Sequence, residues 1–245
     1  MGEITDGLFM LYGHTVFQPG EGNSVPSLFQ GAQTVDAGRF ELVLTIDAGG
    51  DDRMTGKGFV NAENILSPYA EMSGLDGQAL SYIDRLAGSV LSGAESVSYN
   101  LEFFTRSIVR AGFGFETGKP QPDDQGRIRL TAGDPAGGII DAMPDDIKLY
   151  LSGRNCPVLF PSEMVQKISL VVDPGEREIV YLPEEISIKN EAGSFHLRVK
   201  NKDGRLFIER ELSLGTRVVP EEMWPQLRSL LLEETDPANR TVILK

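Results

Sequence analysis

The segment Val218-Val219-Pro220-Glu221-Glu222-Met223-Trp224-Pro225-Gln226-Leu227-Arg228-Ser229-Leu230-Leu231-Leu232 decides how the rest of the chain is read. Both of its prolines suit a helix that begins near Glu221. Pro220 fixes φ at or just before the first turn, and Pro225 falls among the early positions whose N–H has no intrahelical acceptor. Glu221 and Glu222 sit at the positive end of the helix dipole. Trp224, Leu227, Leu230 and Leu231 then share one stripe, and Asp236 with Pro237 ends the helix. Such a stripe has to dock on an apolar layer.

The preceding residues supply that layer. Ile168, Leu170 and Val172 alternate with polar residues before Pro174 and Gly175, and Ile186 and Ile188 do so before a turn at Asn190 to Gly193. Phe195, Leu197 and Val199 alternate before the turn Asn201-Lys202-Asp203-Gly204, and Leu206 and Ile208 begin the return strand. A two-residue period with one apolar side predicts an antiparallel sheet covered on one face.

Working back toward the start, the segment Gly133 to Pro144 is rich in glycine, proline and small residues and reads as an interdomain connection. Before it, Phe40, Leu42, Leu44 and Ile46 share one face of a strand over Arg39 to Ile46. Gly49, Gly50, Asp51 and Asp52 offer hairpin chemistry, with a partner strand at Thr55 to Asn61. Asp76 can cap a helix to about Leu91, with Leu80, Ile83, Ala87, Val90 and Leu91 at helical intervals and Gly93 as its stop. Two further strands are expected at Val97 to Phe104 and Ser107 to Phe115. The expected fold is mostly β, of the α+β class, with antiparallel sheets or a β-sandwich. It comprises an irregular lead-in at 1–35, a first sheet-plus-helix domain at 36–138, and a C-terminal β-domain with its closing helix at 145–245, each sheet covered by one prominent helix.

With 245 residues, the chain is long enough for one or two domains burying roughly 70–75% of their unfolded surface. Its net charge of −13, with Lys and Arg scattered along the chain, argues against nucleic acid and anionic membrane surfaces as partners. No apolar run approaches the roughly 18 residues of a membrane span. Cys156 is the only cysteine, which excludes an intrachain disulfide and any multi-thiolate metal site. Met1 to Leu11 lacks the basic region and apolar core of a signal peptide. The chain therefore reads either as cytosolic or as a trimmed piece of a longer exported protein.

Arg154, Pro157 and Pro161, the strand ending at Pro174-Gly175, Leu182-Pro183-Glu184, the hairpin around Asn201 and the Pro220 to Leu232 helix form a recognisable order. This order resembles the C-terminal β-domain of bacterial exported proteins that carry an N-terminal domain of unknown function and a central transglutaminase-like domain. The resemblance is best over about 145–245 and looser back to Tyr69. It implies a non-catalytic accessory module, periplasmic or extracellular, whose partner is the adjacent transglutaminase-like domain or a protein or glycan ligand. It implies no catalytic residue and no cofactor here, because the family's reactive centre lies in the middle domain.

Each candidate site has a structural reading beside the functional one. Cys156, His196 and Asp203 occur in the chain order of cysteine hydrolases, and an independent hydrolase using Cys156 and His196 is the alternative function. Against it, Cys156 lies between prolines and opens no long helix, His196 shares the outward parity of Arg198 and Lys200, and Asp203 is a turn residue beside Gly204. Asp47, Asp51 and Asp52, and separately Asp123 and Asp124, offer oxygens for a calcium ion, as a calcium-stabilised adhesion module would need. They lack the spacing of a calcium loop and suit turns. His14 has no second ligand nearby. Gly112-Phe113-Gly114-Phe115 lacks the third glycine of a dinucleotide fingerprint and reads as a bulged or closely packed strand. Phe103, Phe104, Phe113 and Phe115 form either an exposed recognition set or core.

Overall fold

The computed structural model describes residues 16–18, 27–29, 36–50, 53–74, 77–143 and 147–245. The Asp76 cap, His14, Asp51 and Asp52 lie outside the described residues, as does most of the lead-in. Within the lead-in, β1 (Val16–Gln18) and β2 (Ser27–Phe29) pair as an antiparallel ribbon, so this part is not wholly irregular.

The first segment contains β3 (Gly38–Asp47), β4 (Thr55–Glu63), α1 (Tyr69–Met72), α2 (Gln78–Val90), β5 (Ala94–Phe104), β6 (Ile108–Thr117) and β7 (Ile128–Thr131). After the connection come β8 (Val158–Leu159), β9 (Met164–Asp173), β10 (Ile179–Tyr181), β11 (Ile186–Asn190), β12 (Gly193–Lys202), β13 (Arg205–Leu214) and β14 (Val218–Val219). The chain closes with a 3₁₀ turn (Glu221–Met223), α3 (Trp224–Thr235), a second 3₁₀ turn (Pro237–Arg240) and β15 (Thr241–Leu244). The mostly β, α+β class follows the sequence reading.

The two segments do not build two sheets. They share one eight-stranded sheet, ordered β11-β12-β13-β9-β3-β4-β6-β5, in which β3 and β9 pair in parallel at the centre. The alternating strands explain the join. Phe40, Leu42, Leu44 and Ile46 of β3 lie beside Gln166, Ile168, Leu170 and Val172 of β9 on one buried face. Each segment alone would leave this edge open, with unpaired N–H and C=O groups along ten residues.

That face is covered by a layer of α2, α3 and a second sheet ordered β10-β15-β7. The second sheet crosses the sequence boundary again, because β7 precedes the connection and β15 closes the chain. In α2 the buried stripe is Tyr82, Ile83, Leu86, Ala87 and Val90; Leu80, expected inside, is exposed. Gly93 follows the helix with φ +76, a left-handed conformation that glycine adopts without strain. In α3, Trp224, Leu227, Leu230 and Leu231 are all fully buried, as the stripe predicts, and the helix contacts β12 and β13.

The small residues of the connection serve close packing and not mobility. Ala136 N–H donates to Ser89 Oγ at 2.9 Å, Tyr82 Oη–H donates to the Ala136 carbonyl at 3.2 Å, and Ile139 is fully buried. A Cβ on Gly133 would stand 1.9 Å from the Ser89 carbonyl oxygen. Sequence alone cannot separate glycine kept for freedom from glycine kept for proximity.

The Gly112–Phe115 run is a closely packed strand. Phe113 and Phe115 turn inward over Gly58 and Gly56, their register partners on β4. A Cβ on Gly58 would fall 2.1 Å from Phe113 Cζ. Gly58→Ala is therefore expected to lower stability by about 1–3 kcal/mol through overpacking. Urea unfolding checks this, and a change within error of zero would mean that the ring has room to move.

Candidate functional site

The constellation with the most unusual chemistry is buried between the sheet and α3. Gln166 projects inward from β9 and Arg210 from β13, both at the parity of their apolar neighbours, and Glu234 lies in the last turn of α3. Arg240 follows from the 3₁₀ turn and Asp134 from the connection. Gln166 Nε2–H donates to Glu234 Oε1 at 3.0 Å, while its Oε1 accepts the Ile139 N–H at 2.7 Å. Arg240 donates to the Glu234 carbonyl and to Asp134 Oδ1, and its guanidinium lies 3.8 Å from Glu234 Oε1. Arg210 donates one Nη2–H to the Gly133 carbonyl at 3.4 Å.

Burial sets the electrostatics here. Loss of solvent pushes the Glu234 carboxyl above its ordinary range, against the pull of Arg210 and Arg240, and pushes the Arg210 guanidinium down. The cluster brings two arginines and two acidic side chains together, with Arg210 and Glu234 almost wholly buried. We read it as the polar tie between the two segments. The sequence did carry a signal for it: Gln166, Arg210 and Glu234 each stand where the pattern demands an apolar residue.

The sequence-nominated catalytic residues are not brought together. Cys156 is exposed in the loop before β8, beside Arg154, whose guanidinium stacks 5.2 Å from the Trp224 ring centroid on the helix-covered side. His196 lies on the opposite, open face, between Phe195 and Leu197, which point into the core. Its Nδ1 shares a hydrogen bond of 3.0 Å with Ser187 Oγ across β11 and β12. Asp203 has φ +53 and Gly204 φ +77, so the pair makes the β12–β13 hairpin turn.

The aspartates are engaged in turns. Asp47 Oδ1 accepts the Gly49 N–H at 3.0 Å. Asp123 Oδ1 accepts the Gln125 and Arg127 N–H groups, and its other oxygen accepts from Arg127 Nε; the Arg127 side chain is the main reason its carboxyl falls to about 2. Among the described residues no three potential ligands gather around a metal position. The four phenylalanines divide: Phe113 and Phe115 are core, whereas Phe103 and Phe104 are exposed on the edge strand β5. Phe103 lies under Arg110, and Phe104 packs against Tyr69.

The face of the large sheet opposite α2 and α3 carries the outward-pointing residues of its strands. Val43, Phe59, Val165 and Val171 are half-buried on it and Phe207 is exposed, with Val43 beside Phe59 and Val171 beside Phe207 in register. Charge rims this apolar strip. Glu209 bonds both Lys167, at 2.8 Å, and Arg198, at 2.7 Å, which holds its carboxyl below and the Lys167 ammonium above their ordinary ranges.

The strand order, the closing helix and the polar tie together define the C-terminal segment, and there a family model matches. Residues 140–244 match the family model of DUF3858, a domain of unknown function with a solved structure. None of the curated proteins matches the chain. Among solved structures, the chain is similar to a protein of Parabacteroides distasonis provisionally assigned as a protease, at 21% identity and a TM-score of 0.44. That alignment covers 51% of this chain and 24% of the other. It is also similar to an M1 zinc metallopeptidase of Deinococcus radiodurans, at 11% identity and a TM-score of 0.25, over 85% of this chain and 41% of the other. The chain thus spans about a quarter and two fifths of these longer proteins. No helix of the described residues is long and apolar enough to cross a membrane.

Proposed function

We propose that this chain is a non-catalytic accessory β-module of an exported multidomain protein, and that the open face of its eight-stranded sheet seats the adjacent transglutaminase-like domain. The observation that carries this reading is the apolar strip of Val43, Phe59, Val171 and Phe207 rimmed by Lys167, Glu209 and Arg198. Apolar centre and charged rim are the anatomy of a protein-docking surface. Half of this strip, Val171 and Phe207, lies on strands β9 and β13 within the segment that matches the DUF3858 model. Metabolite sites enclose most of their ligand in a cleft, whereas an apolar strip on a sheet face suits a second protein surface.

The test adds the neighbouring domain of the parent protein in trans and measures its affinity for this chain by calorimetry. Phe207→Glu is expected to weaken binding at least tenfold, because it places a carboxylate on the most exposed apolar residue of the strip, at its β13 end, while leaving the unfolding midpoint unchanged. Equal affinity of the variant and the parent chain would overturn the reading.

A further inference from the structure

The DUF3858 match begins at residue 140, yet the sheets it contributes to begin well before that point. Alone, the matched segment would present two bare strand edges. One is β9, which pairs with β3 from Gly38↔Met164 to Asp47↔Asp173; the other is β15, which pairs with β7 from Ile128↔Leu244 to Thr131↔Thr241. Both pairings are fastened at their ends across the same boundary. Gly38 N–H donates to the Glu163 carbonyl and Ala48 N–H to the Asp173 carbonyl, each at 2.8 Å, while Arg177 donates to the Ala48 carbonyl and Ala132 N–H to the Arg240 carbonyl, each at 2.9 Å. Three polar side chains of the segment also reach partners that lie before residue 140: Gln166 accepts the Ile139 N–H, Arg210 donates to the Gly133 carbonyl, and Arg240 donates to Asp134.

We infer that residues 36–139 are the binding partner that completes the DUF3858-matching segment, and that the two hold together as a cognate pair without an unbroken chain between them. The surface involved is the free edges of β9 and β15 with the apolar layer between them. Its own strands β11, β12 and β13 already lie on the other side of β9, so that edge is filled from outside the segment. The partner it takes offers a parallel strand with an apolar side chain at every second position, as Phe40, Leu42, Leu44 and Ile46 do, and a second, antiparallel strand for β15. An edge of this length left unpaired would recruit another strand, and Arg210 and Arg240 would be left with fewer partners in a buried place. The peptide link between the halves is one crossing among many contacts. Cutting it removes enforced proximity and leaves the interface in place.

The test cleaves the full chain after it has folded. Ser152 and Gly153 are exposed, and a Cβ on Gly153 would meet nothing within 4 Å, so a protease recognition sequence can be inserted between them without disturbing packed elements. Trp224 is the only tryptophan and lies on the C-terminal piece, so its fluorescence follows the unfolding of that piece alone. The cleaved pieces are expected to elute together without denaturant. Their Trp224 transition should move down by about 3–6 °C on tenfold dilution, because tenfold in concentration is worth about 1.4 kcal/mol to a pair that has to meet. The uncut insertion chain should show no such dependence. Pieces that elute apart would show that the interface does not hold without the link, and a Trp224 midpoint that ignores dilution would show that the C-terminal piece is a domain in its own right; either result overturns the inference.

Discussion

Arg210→Met is expected to lower the unfolding free energy by about 3–5 kcal/mol at neutral pH, the loss typical of breaking one side of a buried charged pair. Arg210 is the largest attractive influence on the Glu234 carboxyl, which burial already pushes up. Without the Arg210 guanidinium, Glu234 keeps Gln166 and Arg240, the latter at 3.8 Å, as favourable neighbours, with Asp134 opposing its ionisation. Its carboxyl should then rise further and hold its proton more tightly in the folded than in the unfolded chain. The sign follows by linkage. Stability in the variant is greatest below the ordinary carboxyl range and declines as pH rises through the elevated folded value, so the deficit against the parent chain should shrink on acidification.

The companion variant separates charge from packing. Arg210→Met with Glu234→Leu replaces the pair by apolar groups of similar volume, and such exchanges are neutral or stabilising by about 1–4 kcal/mol. Urea titrations of the parent, single and double variants between mildly acidic and neutral pH test both statements. A double variant as weak as the single, or a single-variant deficit that is flat with pH, would show that the loss comes from packing around Arg210.

These residues also show where sequence was legible and where it was not. The strands announced themselves because burial on one face imposes a period of two, and β3, β4, β6, β9, β12 and β13 appear close to where Phe40, Ile168, Phe195 and Leu206 place them. Alternation reports which face is buried and carries no information about which strand lies alongside, so the parallel join of β3 to β9 was invisible and the chain was divided where it is in fact sewn together. The four-residue strands β7 and β15 were too short to show a period, although they bind the two segments a second time. In α2, an apolar Leu80 fits the helical spacing, but the stripe that docks runs through Tyr82 and Leu86. The polar tie was legible as a violation of pattern: an arginine between Ile208 and Leu212 and a glutamine between Met164 and Ile168 have no place on a buried face unless they meet partners there.

Trp224→Ala should be nearly as damaging as the loss of Arg210, about 3–5 kcal/mol, because it empties the largest buried side chain of the molecule. The indole begins α3, is fully buried, and donates its Nε1–H to the Leu151 carbonyl at 3.0 Å, so it fastens the loop after the connection to the helix as well as the helix to the sheet. Trp224→Phe tells these roles apart. It keeps most of the apolar volume and loses the donor, and since Leu151 is itself 40% exposed, water can replace part of that bond. The expected loss for Phe is therefore about 1–2 kcal/mol, the hydrogen bond plus a partial cavity. Thermal and urea unfolding of both variants measure this directly. Losses below about 1 kcal/mol for alanine would contradict cavity formation at a close-packed site and show that α3 does not depend on its tryptophan to seat on β12 and β13. A phenylalanine variant as weak as alanine would instead put the greater share of the anchor in the bond to Leu151.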